Sequence, residues 1–124
     1  MFNLFRAVTN SAPSVSAADA VEAVSQKTAV LVDVREEAEL RSGRAKGAIN
    51  LPLSRLHLNA DPQSGHFDKH LARALKAGHP VYLYCASGAR SGRAAGILRQ
   101  HGFESVHNLG TLRHWQSGGG AILR

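Results

Sequence analysis

The chain has 124 residues, 44% of them apolar and 19% charged, which suits one packed domain and excludes an intrinsically disordered chain. No apolar run approaches the ~18 residues needed to span a bilayer, and with Cys85 as its one cysteine the chain can form no intrachain disulfide and no four-cysteine zinc site. The formal net charge is +6, but aromatics are only 6% and are not interleaved with arginines, so neither nucleic acid nor a membrane is expected as a partner.

Residues 1–14 read as a loose leader with Asn10, Ser11, Pro13 and Ser14. Arg6 follows their apolar cluster, and there is no secretory core. A cytoplasmic location is therefore expected, with a periplasmic one left open. The domain is expected over residues 15–117. Ser16 before AADAVEAV, with Asp19 three residues on, predicts a capped helix. TAVLVDV, residues 28–34, predicts a buried parallel strand. Residues 36–41 predict a short helix with solvated acidic residues at its positive end, broken by Gly43 and Gly47. Residues 48–51 predict a second strand, closed by Pro52. Residues 57–65 read as a polar loop.

Phe67, Leu71, Ala74 and Leu75 then share one helical face, with Gly78 as the stop. VYLY, residues 81–84, is the strongest strand, and Cys85 ends it. A helix from about Ser91 to His101 buries Ala94, Ala95, Ile97 and Leu98 on one face. Gly92 and Gly96 lie on the other face, unexplained, each at a cost of ~1 kcal/mol against alanine. Residues 105–109 predict a last strand, 111–116 a last helix, and 118–124 a flexible Gly-rich tail. Strands and helices alternate, so the expected fold is α/β: a central parallel sheet with helices on both faces. In such folds ligands sit at the carboxyl ends of the strands, where Cys85 stands.

The charge distribution marks the same place. Residues 1–70 hold eight basic and eight acidic side chains, whereas residues 71–124 hold seven basic and only Glu104 acidic. The positive half contains the cysteine, and such a field favours anionic partners and a thiolate. In Cys85-Ala86-Ser87-Gly88-Ala89-Arg90-Ser91, small residues let successive N–H groups turn toward the sulfur. Gly88 permits backbone angles that a β-carbon forbids. The N–H groups of Ala86, Ser87, Gly88, Ala89 and Arg90 form the expected cradle, the Arg90 guanidinium is the anion contact, and Ser91 can donate a hydroxyl. An inert buried cysteine is the alternative, and the Arg-bearing loop speaks against it.

VYLYCASGARS resembles the active-site loop of the rhodanese sulfurtransferases, Cys-x-x-Gly-x-Arg-Ser, at Cys85, Gly88, Arg90 and Ser91. LVDVREEAEL resembles the family's first-strand motif at Asp33, Arg35 and Glu36, and GAINLPLSRL its Gly-Ala-Ile-Asn-Ile-Pro segment. The matches run in family order from about residue 15 to 116. Departures fall at Arg44, at Thr111 and in the long stretch 57–67. The resemblance implies a rhodanese-like fold and a Cys85 nucleophile that takes sulfur from a small anionic donor such as thiosulfate. A persulfide would then pass it to cyanide, a thiol or a carrier protein, with no metal or organic cofactor. Asp33 and Arg35 are motif residues, and a structural brace near the site is favoured for them over a chemical role.

Three rivals stand beside this reading. A cysteine phosphatase or arsenate reductase needs Cys-x5-Arg, whereas Cys85 and Arg90 are separated by four residues, a ring better suited to one sulfur atom than to a phosphate. A non-catalytic binding module and a redox sensor are the others. His66 and His70, four apart, could share a helix face, but the sequence supplies no third zinc ligand near them. Oligomeric state is not legible.

Overall fold

The computed structural model describes residues 15–124; the expected leader lies outside them. Ser16 caps α1 (Ala17–Ser25), its side chain accepting from the Asp19 N–H. β1 (Val30–Asp33), a 3-10 helix (Glu37–Ser42), β2 (Arg44–Ala45) and β3 (Ile49–Asn50) follow. Then come α2 (Leu53–Asn59), α3 (Lys69–Ala77), β4 (Val81–Cys85), α4 (Ala89–Gln100), β5 (Val106–Thr111), α5 (Leu112–Ser117) and β6 (Ile122–Leu123). The main sheet is parallel, in the order β3-β1-β4-β5.

Side chains alternate along a strand, and β4 uses both faces. Val81, Leu83 and Cys85 enter a core with Leu56 of α2, Leu71 and Ala74 of α3, and Ala94, Ala95 and Leu98 of α4. Tyr82 and Tyr84 face the other way, toward Ala17 and Ala20 of α1 and Trp115 of α5. Helices thus cover both faces of a parallel α/β sheet.

Several elements differ from expectation. β1 starts at Val30 because Thr28 closes α1 instead, its N–H donating to the Ala23 carbonyl at 2.9 Å. The stretch expected to be a loop from residue 57 begins inside α2, where Leu56 is fully buried. His66 lies ahead of α3, so it shares no helix face with His70. Among the described residues no three His, Cys, Asp or Glu side chains gather as metal ligands, and no helix is long and apolar enough to cross a membrane.

The flexible tail is corrected most plainly. β6 pairs antiparallel with β2, setting Ala45 opposite Ile122, and the Trp115 indole N–H donates to the Ala121 carbonyl at 2.9 Å. Gly118 and Gly120 serve close approach, to Ala17 and to Trp115: a Cβ on Gly120 would sit inside the Trp115 indole. Gly120→Ala is therefore expected to destabilise the fold by about 1–3 kcal/mol, as overpacking does. A thermal melt checks it; an unchanged Tm would mean the segment is not docked in solution.

Candidate active site

Cys85 ends β4 at the carboxyl edge of the sheet with 1% of its surface exposed. The chain turns through Ala86 and Ser87, and Gly88 caps α4 at φ 96°, in the left-handed region that favours glycine. A Cβ there would also touch the Gly110 backbone at 3.6 Å. The turn folds α4 back over the sulfur. Sγ accepts from the Gly88 N–H at 3.0 Å and the Ser91 N–H at 3.4 Å, and Ser91 Oγ lies 3.4 Å away.

The cradle is narrower than expected. No hydrogen bond to Sγ comes from the N–H of Ala86, Ala89 or Arg90, and the Ala89 N–H goes to Ser87 Oγ at 3.4 Å. The Ser91 N–H, from the first turn of α4, takes their place. Burial pushes the Cys85 thiol up, but the Ser91 hydroxyl and the N–H groups of Ser91, Gly88 and Ser87 outweigh it. The net result is a pKa below that of an ordinary thiol, in a site that favours the thiolate.

Arg90 is placed at the loop but is already engaged. Its guanidinium grips the Glu39 carboxylate with two bonds, of 2.7 and 2.9 Å. Glu39 is therefore not one of a row of solvated carboxylates, as its position in a Glu-rich run suggests. The Arg90 fork, with the Glu36 N–H, lowers its pKa to about 2. The pair is about one-third exposed, so solvent screens it and an incoming anion can compete for Arg90.

Asp33 and Arg35 lie beneath this rim, 1% and 5% exposed. The Arg35 Nε and Nη2 donate to the Asp33 carboxylate at 3.0 and 2.7 Å, and the Tyr84 hydroxyl donates to it at 2.6 Å. Nη2 also donates to the Gly43 carbonyl at 2.8 Å, and the Ala45 N–H donates to the Tyr84 hydroxyl at 3.0 Å. Every partner is internal, so the group ties β1, β4 and the chain after the 3-10 helix together. The hydrogen bond it donates to Asp33 is the first reason the Arg35 pKa is raised; burial is the first reason that of Tyr84 is.

Two residues of this neighbourhood carry no local signal in the sequence. Glu39 meets Arg90 across 51 positions. Asn108 of β5 accepts from Ser91 Oγ at 2.7 Å and donates to the Gly88 carbonyl at 3.1 Å. Asn108 also accounts for Gly92, where a Cβ would lie 3.3 Å from its Nδ2. Gly96 has open space beside it, and nothing in the structure explains it. A cavity of about 400 Å³ sits at the opposite end of the strands, between Val30, Ile49, His70 and His79, and Cys85 does not line it.

Fold and site together define an α/β protein with a buried thiol at a strand-to-helix turn whose N–H groups favour its thiolate. The chain belongs to the rhodanese-like domain family, whose model matches residues 16–117. It is 39% identical over 90 residues to the uncharacterized Bacillus subtilis protein YqhL, covering 72% of this chain and 62% of that one. The thiosulfate:glutathione sulfurtransferase of Saccharomyces cerevisiae is 34% identical over 99 residues, covering 76% of this chain and 69% of the yeast protein. The chain spans only 46% of a Synechocystis relative, so some relatives are much longer. Among solved structures, a human single-domain sulfurtransferase superposes with a TM-score of 0.63 at 26% identity, covering 86% of this chain and 96% of its own. A Rhodopseudomonas palustris protein described as a "possible tyrosine phosphatase" superposes with a TM-score of 0.75 at 27% identity, covering 97% and 91%.

Proposed function

We propose that this protein is a sulfurtransferase that moves sulfane sulfur from a small anionic donor such as thiosulfate to a thiophilic acceptor through a Cys85 persulfide. The observation that carries the reading is the buried Sγ at a strand end, met by two loop N–H groups in a site that favours the anion. The Cys85 thiolate attacks the outer sulfur of thiosulfate. A new S–S bond forms, the old one breaks, and sulfite leaves with the electron pair. The persulfide's outer sulfur is then taken by cyanide, a thiol or a carrier protein, and the thiolate returns. The cradle suits both anionic sulfur states, which is how a covalent intermediate is held without trapping it. Arg90 exchanges Glu39 for the donor's sulfonate oxygens in the first half-reaction.

Mass spectrometry of thiosulfate-treated protein tests this: a gain of about 32 Da, one sulfur, on the only cysteine is expected, with thiocyanate released when cyanide follows. Folded protein that gains no sulfur and forms no thiocyanate would sink the reading. Turnover of an aryl phosphate in its place would favour the phosphatase chemistry suggested for the Rhodopseudomonas neighbour.

The rate should also follow the thiolate. Because the Cys85 pKa is lowered, kcat/KM for thiosulfate is expected to rise with pH and level off above a midpoint below that of an ordinary free thiol. A pH–rate profile checks this, and a midpoint at or above that of a free thiol would contradict it.

A further inference from the structure

Asn108 lies where the pairing of β5 with β4 slips. Leu83 faces Asn108 but Tyr84 faces Gly110, which leaves Leu109 as the extra residue of a bulge. Bulges beside active sites re-aim side chains, and here the Asn108 amide reaches both ends of the cysteine loop. Its Nδ2 donates to the Gly88 carbonyl at 3.1 Å, and its Oδ1 lies 2.7 Å from Ser91 Oγ.

These two contacts determine where the Ser91 hydrogen points. The Gly88 carbonyl can only accept, so the amide nitrogen faces it and the amide oxygen faces Ser91. The amide oxygen also only accepts, so Ser91 is the donor. A hydroxyl has one hydrogen. While Asn108 holds it, Cys85 Sγ, 3.4 Å from the same Oγ, does not receive it. The neutral thiol fits this state, since its S–H can donate to the remaining lone pair of Oγ. An anionic sulfur does not fit, because it accepts hydrogen bonds and has none to give.

We propose that Asn108 is a positioning residue for sulfur transfer: it holds the Ser91 hydroxyl hydrogen while Cys85 is a thiol and yields it when the sulfur is anionic. The thiol proton leaves to water. The hydroxyl turns about its Cβ–Oγ bond, the Ser91–Asn108 hydrogen bond opens, and an Oγ–H···S⁻ hydrogen bond forms. The contact with Gly88 persists, so the loop keeps its shape. The loop thus has two fixed donors, the N–H groups of Gly88 and Ser91, and a third that answers to the charge on sulfur. The consequence for the persulfide rests on the sulfur-transfer reading; the hydroxyl exchange itself does not.

Cys85 is the only cysteine, so thiolate formation can be followed by ultraviolet absorbance and by the rate of alkylation with iodoacetamide across pH. Asn108→Ala frees the hydroxyl for the sulfur. It is expected to lower the titration midpoint and to speed alkylation at neutral pH about threefold, following the larger thiolate fraction. Ser91→Ala is expected to raise the midpoint, and the double variant should titrate as Ser91→Ala does. Asn108→Val, which fills more of the vacated volume, carries the same expectation should the alanine variant melt early. If removing Asn108 displaces the midpoint equally with and without Ser91, or raises it when Ser91 is present, the proposal fails and Asn108 is only a loop tether. The titration uses no sulfur donor. A protein that accepts no sulfur yet shows the coupled titration would lose the proposed function and keep the exchange; the reverse result would do the opposite.

Discussion

Cys85→Ser is expected to lower thiosulfate-to-cyanide transfer at least about a thousandfold while leaving the fold in place. A serine hydroxyl does not ionise near neutral pH, so the two N–H groups that favour the thiolate at 3.0 and 3.4 Å have no anion to hold. Oxygen is also a poor partner for the sulfur–sulfur exchange on which the persulfide depends. The side chain is close in size to cysteine, and its hydroxyl can still accept from the loop, so the thermal melt should shift little. The paired readout is the mass of the thiosulfate-treated protein: wild type gains a sulfur and the variant does not. Residual transfer within about tenfold of wild type in a folded variant would mean that sulfur moves without a covalent intermediate. Equal inactivity of the two proteins would favour a binding module. A cysteine that gains oxygen under peroxide, but no sulfur from thiosulfate, would favour a redox sensor.

What could be read from the sequence was what is encoded locally. VYLYC places the cysteine at a strand end because five successive residues alternate between two apolar faces. Gly88 marks the turn because its φ of 96° is open to glycine and costly for others. The brace between Asp33 and Arg35 spans two positions, so its partners could be named together. The hidden features join distant segments. Glu39 sits in a Glu-rich run that resembles a solvated helix start, and only the fold brings Arg90 against it. Asn108 depends on a bulge that no residue pattern announces. The tail reads as flexible because a glycine run signals freedom and close packing alike. The Trp115 N–H, which needs an acceptor once the ring is buried, was the cue that separates the two.

The same contrast between local and distant partners sets the largest expected stability effect. Asp33→Asn should destabilise the protein by about 3–5 kcal/mol, because it leaves Arg35, 5% exposed, as a buried charge without its counter-charge. An asparagine can offer one oxygen, but the structure asks the carboxylate to accept from the Arg35 fork and from the Tyr84 hydroxyl together. The amide nitrogen would face a donor in either orientation. Against the ~5–15 kcal/mol that holds a domain of this kind, such a loss is large enough to unfold a substantial fraction. Denaturant melts of Asp33→Asn, Arg35→Met and the double variant distinguish a brace from a chemical role. A brace predicts that each single change is severe and that the double variant costs less than the two singles together, since removing both charges leaves neither stranded. A chemical role for Asp33 predicts near-native stability with a slower reaction. Because the brace ties β1 and the 3-10 helix segment to Tyr84, one residue before Cys85, its loss should also loosen the strand end that presents the sulfur. The alkylation midpoint of Cys85 in the fraction that remains folded should therefore move up toward that of a free thiol as stability falls. An Asp33→Asn protein with wild-type stability would show that the buried ion pair is not what secures this end of the sheet.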